Sequence, residues 1–133
     1  MTLSKQEVFD KTAAYLLSMK NPAKEGIIPK YLTKDGRKCA VGYWIPETHP
    51  AMMEQGSCMS VMALSEKYSH TCETPLPDEI YAYLDIFWNL QKCHDASNHW
   101  YKKGYMNKTG KRDLKRIAKI YGLAWNFGDI NVK

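Results

Sequence analysis

The sequence predicts a single α+β domain, residues 1–133, mostly helical, with about four helices and a small β-hairpin near residues 30–45. Apolar residues recur at helical spacing in a segment near the N-terminus and again after Pro77. Between these segments, Asp35-Gly36 is a strong two-residue turn signal with a strand-like run after it. A length of 133 residues suits one domain, and no change in composition marks a boundary within the chain.

The first helix is predicted to begin after Ser4, which forms a capping box with Glu7. Asn21-Pro22 ends it, because proline disfavours the helical conformation of the residue before it. One face of this helix is predicted to pack into the core, and it consists of Val8, Phe9, Thr12, Ala13, Tyr15, Leu16 and Met19.

The hairpin is predicted to turn at Asp35-Gly36, with residues 23–29 forming a loop before it. Strand alternation after the turn would place Cys39 on one face together with Val41, Tyr43 and Ile45. An isolated pair of strands is marginal in water, so we expect this face to pack on helices.

Three further helices are predicted. The first covers residues 58–69, and its core-facing residues would be Met59, Met62, Ala63 and Leu64. The second has the strongest periodicity and runs from about residue 78 to residue 97. A polar and aromatic loop follows at residues 98–110. The last helix covers residues 111–121, with Gly122 as its terminator.

The charge balance is moderately basic, since 19 Lys and Arg residues against 14 Asp and Glu give a net charge of +5. Such an excess favours a nucleic acid or an acidic protein surface as a partner. No apolar run approaches the roughly 20 residues that span a bilayer, so no membrane partner is expected. Charges interrupt the apolar N-terminal segment, unlike a signal peptide, and the expected location is the cytoplasm, with reduced cysteines.

The candidate binding residues are basic and aromatic, and they lie near the C-terminus. In the last helix the cations recur at intervals of three and four and form one stripe, while apolar residues occupy the opposite face. The candidate set is Tyr101, Lys102, Lys103, Tyr105, Arg112, Lys115, Arg116 and Lys119. A solvated charged face, a phosphate-contacting surface and a site for an acidic protein are all compatible with this pattern.

Cysteine and histidine residues suggest two kinds of site. Cys39, His94 and Asp95 supply the types of residue that a thiol nucleophile, its base and an orienting group require. The soft ligands for a metal would be Cys58, His70, Cys72, Cys93 and His94. Their spacing lacks the pairs typical of structural zinc sites, so no metal or cofactor is expected. Cys39 would lie within a strand, without a helix N-terminus to lower its pKa, and His94 shares the apolar face of its helix, so no catalytic residue is expected either. Cys58 and Cys93 are interpreted as small packed residues.

The segment after Asp35 resembles a signature of a family of small phage and prophage proteins. The pattern is Gly-x-x-Cys-Ala-(Ile/Val)-Gly-x-x-Ile-Pro, followed by Met-Glu with a glycine, and later by Leu-Gln-x-x-His-Asp and a tryptophan. The matching residues are Gly36, Cys39, Ala40, Val41, Gly42, Ile45, Pro46, Met53, Glu54, Gly56, Leu90, Gln91, His94, Asp95 and Trp100. The chain departs from the pattern at residues 26–34, where the family has a cysteine and an arginine.

The resemblance implies a phage accessory protein that binds a host macromolecule in the host cell cytoplasm, as an inhibitor in host takeover or counter-defence. An acidic host protein would be its partner. Two other functions stay open: a nucleic-acid-binding protein that uses the basic C-terminal helix, and a small cysteine-dependent hydrolase or transferase. A binding protein without enzymatic activity is the function that we expect first.

Overall fold

The computed structural model describes residues 2–53 and 59–130 and confirms the mostly helical α+β fold class. The helices are α1 (Lys5–Ser18), α2 (Val61–Lys67), α3 (Asp78–Ala82), α4 (Leu84–Asp95) and α5 (Lys108–Ile120). The strands are β1 (Lys24–Glu25) and β2 (Ile28–Pro29), which form an antiparallel pair. In the described part of the chain, short 3-10 helices cover Gly42–Trp44, Pro50–Met53 and Ser97–His99.

The capping box at the start of α1 is confirmed. Ser4 Oγ accepts the Glu7 N–H at 3.1 Å, and Glu7 Oε1 accepts the Ser4 N–H at the same distance. The bonds from the Ser4 backbone and hydroxyl lower the pKa of Glu7. Five residues of the expected apolar face are buried within the helix: Val8, Phe9, Thr12, Ala13 and Leu16.

The paired strands lie earlier in the chain than predicted, because the expected loop at residues 23–29 contains both of them. Their turn is at Gly26, whose φ of 66° is left-handed and favours glycine. Asp35-Gly36 does form a turn, closed by a bond of 2.8 Å from the Thr33 N–H to the Arg37 carbonyl. A single bridge between Leu32 and Lys38 flanks it.

The prediction of a strand at residues 39–45 is wrong, because this segment folds back on itself. The Tyr43 N–H bonds to the Cys39 carbonyl at 2.9 Å, and the Ile45 N–H bonds to the Gly42 carbonyl at 3.1 Å. All four residues from Cys39 to Gly42 are buried, so neither side of the segment faces solvent. Burial therefore does not alternate from Cys39 to Gly42, in contrast to the strand that the sequence predicted.

The helix expected at residues 78–97 is divided at Tyr83, whose φ of −129° and ψ of 43° are not helical. The Tyr83 hydroxyl donates to the Leu3 carbonyl at 2.7 Å and so ties the break to the start of the chain. The second piece, α4, contacts each of the other four helices and lies at the centre of the core. This position explains why its periodicity is so clear in the sequence.

The two remaining helices differ from their predicted bounds by a few residues. In α2 the buried residues are Val61 and Leu64, whereas Ala63 is exposed; residue 58 lies outside the described residues. Helix α5 begins at Lys108, three residues earlier than expected, because Asn107 caps it. Gly122 ends α5 with a φ of 69°, as predicted. No helix in the described ranges is both long and apolar enough to cross a membrane.

Candidate functional site

A buried hydrogen-bond network surrounds His94, at the end of α4. The Ala23 N–H donates to His94 Nε2 at 2.9 Å, and His94 Nδ1 lies 2.8 Å from Asp95 Oδ1. Because Nε2 accepts from a backbone amide, the ring proton belongs on Nδ1, where it donates to the carboxylate. The Trp100 indole donates to the His94 carbonyl at 2.8 Å. The histidine thus joins the chain before β1 to α4 and to the segment after it.

Gln91 extends the network into the signature segment. Its Oε1 accepts the Val41 N–H at 3.1 Å, and its Nε2 donates to Asp95 Oδ1 at 2.8 Å. The side chain is therefore used at both ends, as a buried amide requires. Gln91, His94 and Asp95 together fasten two irregular segments to the central helix.

The candidate trio of Cys39, His94 and Asp95 does not form a nucleophile–base pair in this structure. Asp95 does orient the ring of His94, because α4 ends at that residue. However, both ring nitrogens of His94 are engaged, by Asp95 and by the Ala23 amide, so neither is directed to a thiol. Cys39 Sγ accepts the Gly42 N–H at 3.3 Å and is completely buried.

We expect Cys39 to be slow to react with iodoacetamide in the folded protein. Burial excludes the reagent, whereas the partly exposed Cys72 should be labelled faster than Cys39. Peptide mass mapping after timed alkylation measures both rates, and labelling in denaturant controls for intrinsic reactivity. Labelling of Cys39 as fast as that of Cys72 would contradict the buried position of Cys39. A cysteine-dependent enzyme would then again be a candidate function.

Within residues 2–53 and 59–130, the cysteines and histidines that the sequence offered as metal ligands do not form a group. Cys39, Cys72 and Cys93, the cysteines in the described part of the chain, form no disulfide. The side chain of His70 is exposed to solvent and packs against the ring of Tyr81, with the two ring centroids 3.9 Å apart. Cys58 lies outside the described residues.

Cys93 instead lies beside His99 and Asp113, two residues that the sequence reasoning missed. One potential ligand atom from each of the three lies within 4.8 Å of the others. Burial raises the pKa of the Cys93 thiol, and the negative charge of Asp113 raises it further. Asp113 is the only acidic residue in α5 and lies three residues after the buried Gly110, at core-facing spacing. That placement is the signal that could have found it.

The predicted basic residues line two grooves that meet at Ile130. The first groove has a volume of about 720 Å³, and its lining includes Tyr101 and Tyr105, each about half exposed (50% and 52%). Leu17 and Ile130 contribute apolar surface. Its cations are Lys102, Lys103, Lys108 and Lys111.

The loop that carries the tyrosines is held against the end of α1. The Tyr105 N–H donates to the Lys20 carbonyl at 2.6 Å, and the Tyr101 N–H donates to the Tyr105 carbonyl at 3.0 Å. Tyr105 has a φ of 70°, which is rare for a residue with a side chain and is found preferentially where a loop serves a function. A Cβ on Gly104 would lie 2.8 Å from the Lys20 carbonyl oxygen, so the close approach requires glycine there.

The second groove, of about 430 Å³, lies along α5 and is lined by Trp125 as well as by cations. The cations are Arg112, Lys115, Arg116 and Lys119. Arg116 is partly neutralised, since its Nη2 lies 2.7 Å from Asp113 Oδ1. Among the described residues, no carboxylate lines either groove. The two grooves together, with their cations and rings, are called the basic face below.

No protein-family model, curated protein or solved structure matches the chain.

Proposed function

We propose that this chain is a non-enzymatic accessory protein that binds an acidic macromolecule, foremost an acidic host protein, through the basic face. The observation that carries the proposal is the pair of adjoining grooves, each lined by four cations and, among the described residues, by no carboxylate. Cations grouped in this way attract an acidic partner and orient it as it approaches.

A protein partner is favoured by the mixture of surfaces within the first groove. Leu17 and Ile130 give it an apolar lining beside the lysines. An acidic protein segment with one apolar anchor would satisfy both kinds of surface. Tyrosine, exposed here at Tyr101 and Tyr105, is also a residue that commonly dominates the binding energy of protein interfaces.

Single-stranded nucleic acid is the second candidate, and the exposure of Tyr101 and Tyr105 favours it. Half-exposed rings between lysines offer stacking surfaces for bases and cations for phosphates. The bond from the Tyr105 N–H to the Lys20 carbonyl fixes the backbone that carries these rings.

A phage origin remains part of the proposal, and the place of the signature residues in the fold is compatible with it. Gln91 and His94 lie in the buried contacts that join the irregular segments to α4, and Gly42 packs closely against the Tyr31 backbone. A signature of this kind would mark the fold of a family, while the basic face would bind the partner in the host cytoplasm.

Capture from a bacterial host lysate, with and without nuclease, tests the proposal. We expect the immobilised protein to retain an acidic protein after nuclease treatment and to release it as the salt concentration rises. Capture that nuclease abolishes would contradict the protein partner and support nucleic acid. Capture of nothing under either condition would contradict both candidates.

A further inference from the structure

We propose that Cys93, His99 and Asp113 form a binding site for a divalent transition-metal ion, with Zn²⁺ as the ion that suits this ligand set. Zinc takes thiolate, imidazole and carboxylate ligands in proteins, and its binding would displace the proton that the Cys93 thiol donates to the Gly110 carbonyl at 3.6 Å. One potential ligand atom from each residue lies within 4.8 Å of the other two.

The spacing of the three groups is close to that of a coordinated metal. Zinc bonds of about 2.0–2.3 Å place the ligand atoms of a tetrahedral site about 3.3–3.8 Å apart. Inward movements of about 1 Å or less, within reach of side-chain rotation, would bring the three groups to that separation. The fourth position would be left to water or to another ligand.

Neighbouring groups already hold two of the ligands. His99 Nδ1 lies 2.9 Å from the Cys93 carbonyl, which only accepts, so Nδ1 carries the proton and Nε2 keeps its lone pair. Arg116 donates from both Nε and Nη2 to Asp113 Oδ1, which leaves Oδ2 outside these two bonds. Supporting bonds of this kind orient the ligands of metal sites.

Gly110 allows the three elements to approach one another. A Cβ at this position would lie 2.8 Å from the His99 carbonyl oxygen and 2.9 Å from its Cβ, so a larger residue would push α5 away. The site would join α4, the 3-10 turn Ser97–His99 and α5. These elements flank the loop that carries Tyr101 and Tyr105, so a bound ion would also stiffen part of the basic face.

Titration of the chelator-treated full chain with Co²⁺, followed by competition with Zn²⁺, tests the site. We expect one Co²⁺ per chain, with a thiolate-to-cobalt absorption band and the strong visible bands of a tetrahedral centre. Zn²⁺ should displace the cobalt and slow amide exchange in residues 97–107. A wild-type protein that shows no thiolate band overturns the proposal, whatever the variants do.

The variants locate the site. Cys93→Ser should abolish the band, and His99→Asn and Asp113→Asn should each weaken binding by at least about tenfold. The matched control, Cys72→Ser combined with His70→Asn, should bind like the wild type. Circular dichroism verifies that each variant is folded. A band that survives in Cys93→Ser, or disappears in the control, overturns the proposal.

Discussion

Replacing Gly42 by alanine is expected to lower the free energy of unfolding by about 3 kcal/mol. A Cβ at this position would lie 2.1 Å from the Tyr31 carbonyl oxygen, a backbone atom that has no flexible side chain to move away. The same carbonyl accepts the Cys39 N–H at 3.4 Å, so a shift that relieves the clash also disturbs this bond. Urea denaturation of the variant and the wild type measures the loss.

Gly36→Ala is the matched control for the Gly42 prediction. A Cβ on Gly36 meets nothing within 4 Å, but its φ of 89° is unfavourable for alanine. Gly36→Ala should therefore lower the free energy of unfolding by only about 1–2 kcal/mol, which is the cost of the left-handed backbone conformation alone. If Gly42→Ala is no more destabilising than Gly36→Ala, then the close approach of the two segments described here is incorrect.

Replacing His94 by alanine is expected to lower the free energy of unfolding by about 3–4 kcal/mol. The substitution removes the acceptor of the buried Ala23 N–H and the donor to Asp95, and it leaves a cavity beside the central helix. An unsatisfied buried donor and a lost core side chain are among the few causes of such large effects.

His70→Ala is the control for the His94 prediction, because the side chain of His70 is 62% exposed. It should change stability by no more than about 0.5 kcal/mol. Equal small effects at both positions would show that His94 does not hold the irregular segments to α4. Retention of full stability by His94→Ala would also reopen the question of a catalytic role for that residue.

The parts of the fold that the sequence predicted are those that depend on nearby residues. The capping box of Ser4 and Glu7 and the terminator Gly122 are local, since their partners lie within a few residues. The periodicity of α4 was also readable, because its apolar face packs against all four other helices. The break at Tyr83 was not readable, because it involves a bond to Leu3, about 80 residues away.

The candidate sites, too, could be predicted only where they depend on residues close together in the sequence. The cations of α5 follow from helical spacing, and the structure places them in a groove as a group. The two grooves adjoin each other because residues 101–105 dock on Lys20. This is a contact between segments that are distant in the sequence. The meeting of Cys93 with His99 and Asp113 likewise depends on the turn after α4 and on the small size of Gly110. No local pattern in the sequence predicts either contact.

The binding of the captured partner by two double variants tests the central claim, recognition through the basic face, most directly. Lys102→Glu with Lys103→Glu reverses two charges of the first groove, whereas Lys34→Glu with Lys92→Glu makes the same change in net charge at exposed positions outside both grooves. Titration calorimetry at physiological salt should show affinity about tenfold weaker for the first variant and nearly unchanged for the second. Equal affinities for the two variants, whether both weakened or both intact, would contradict recognition through this face.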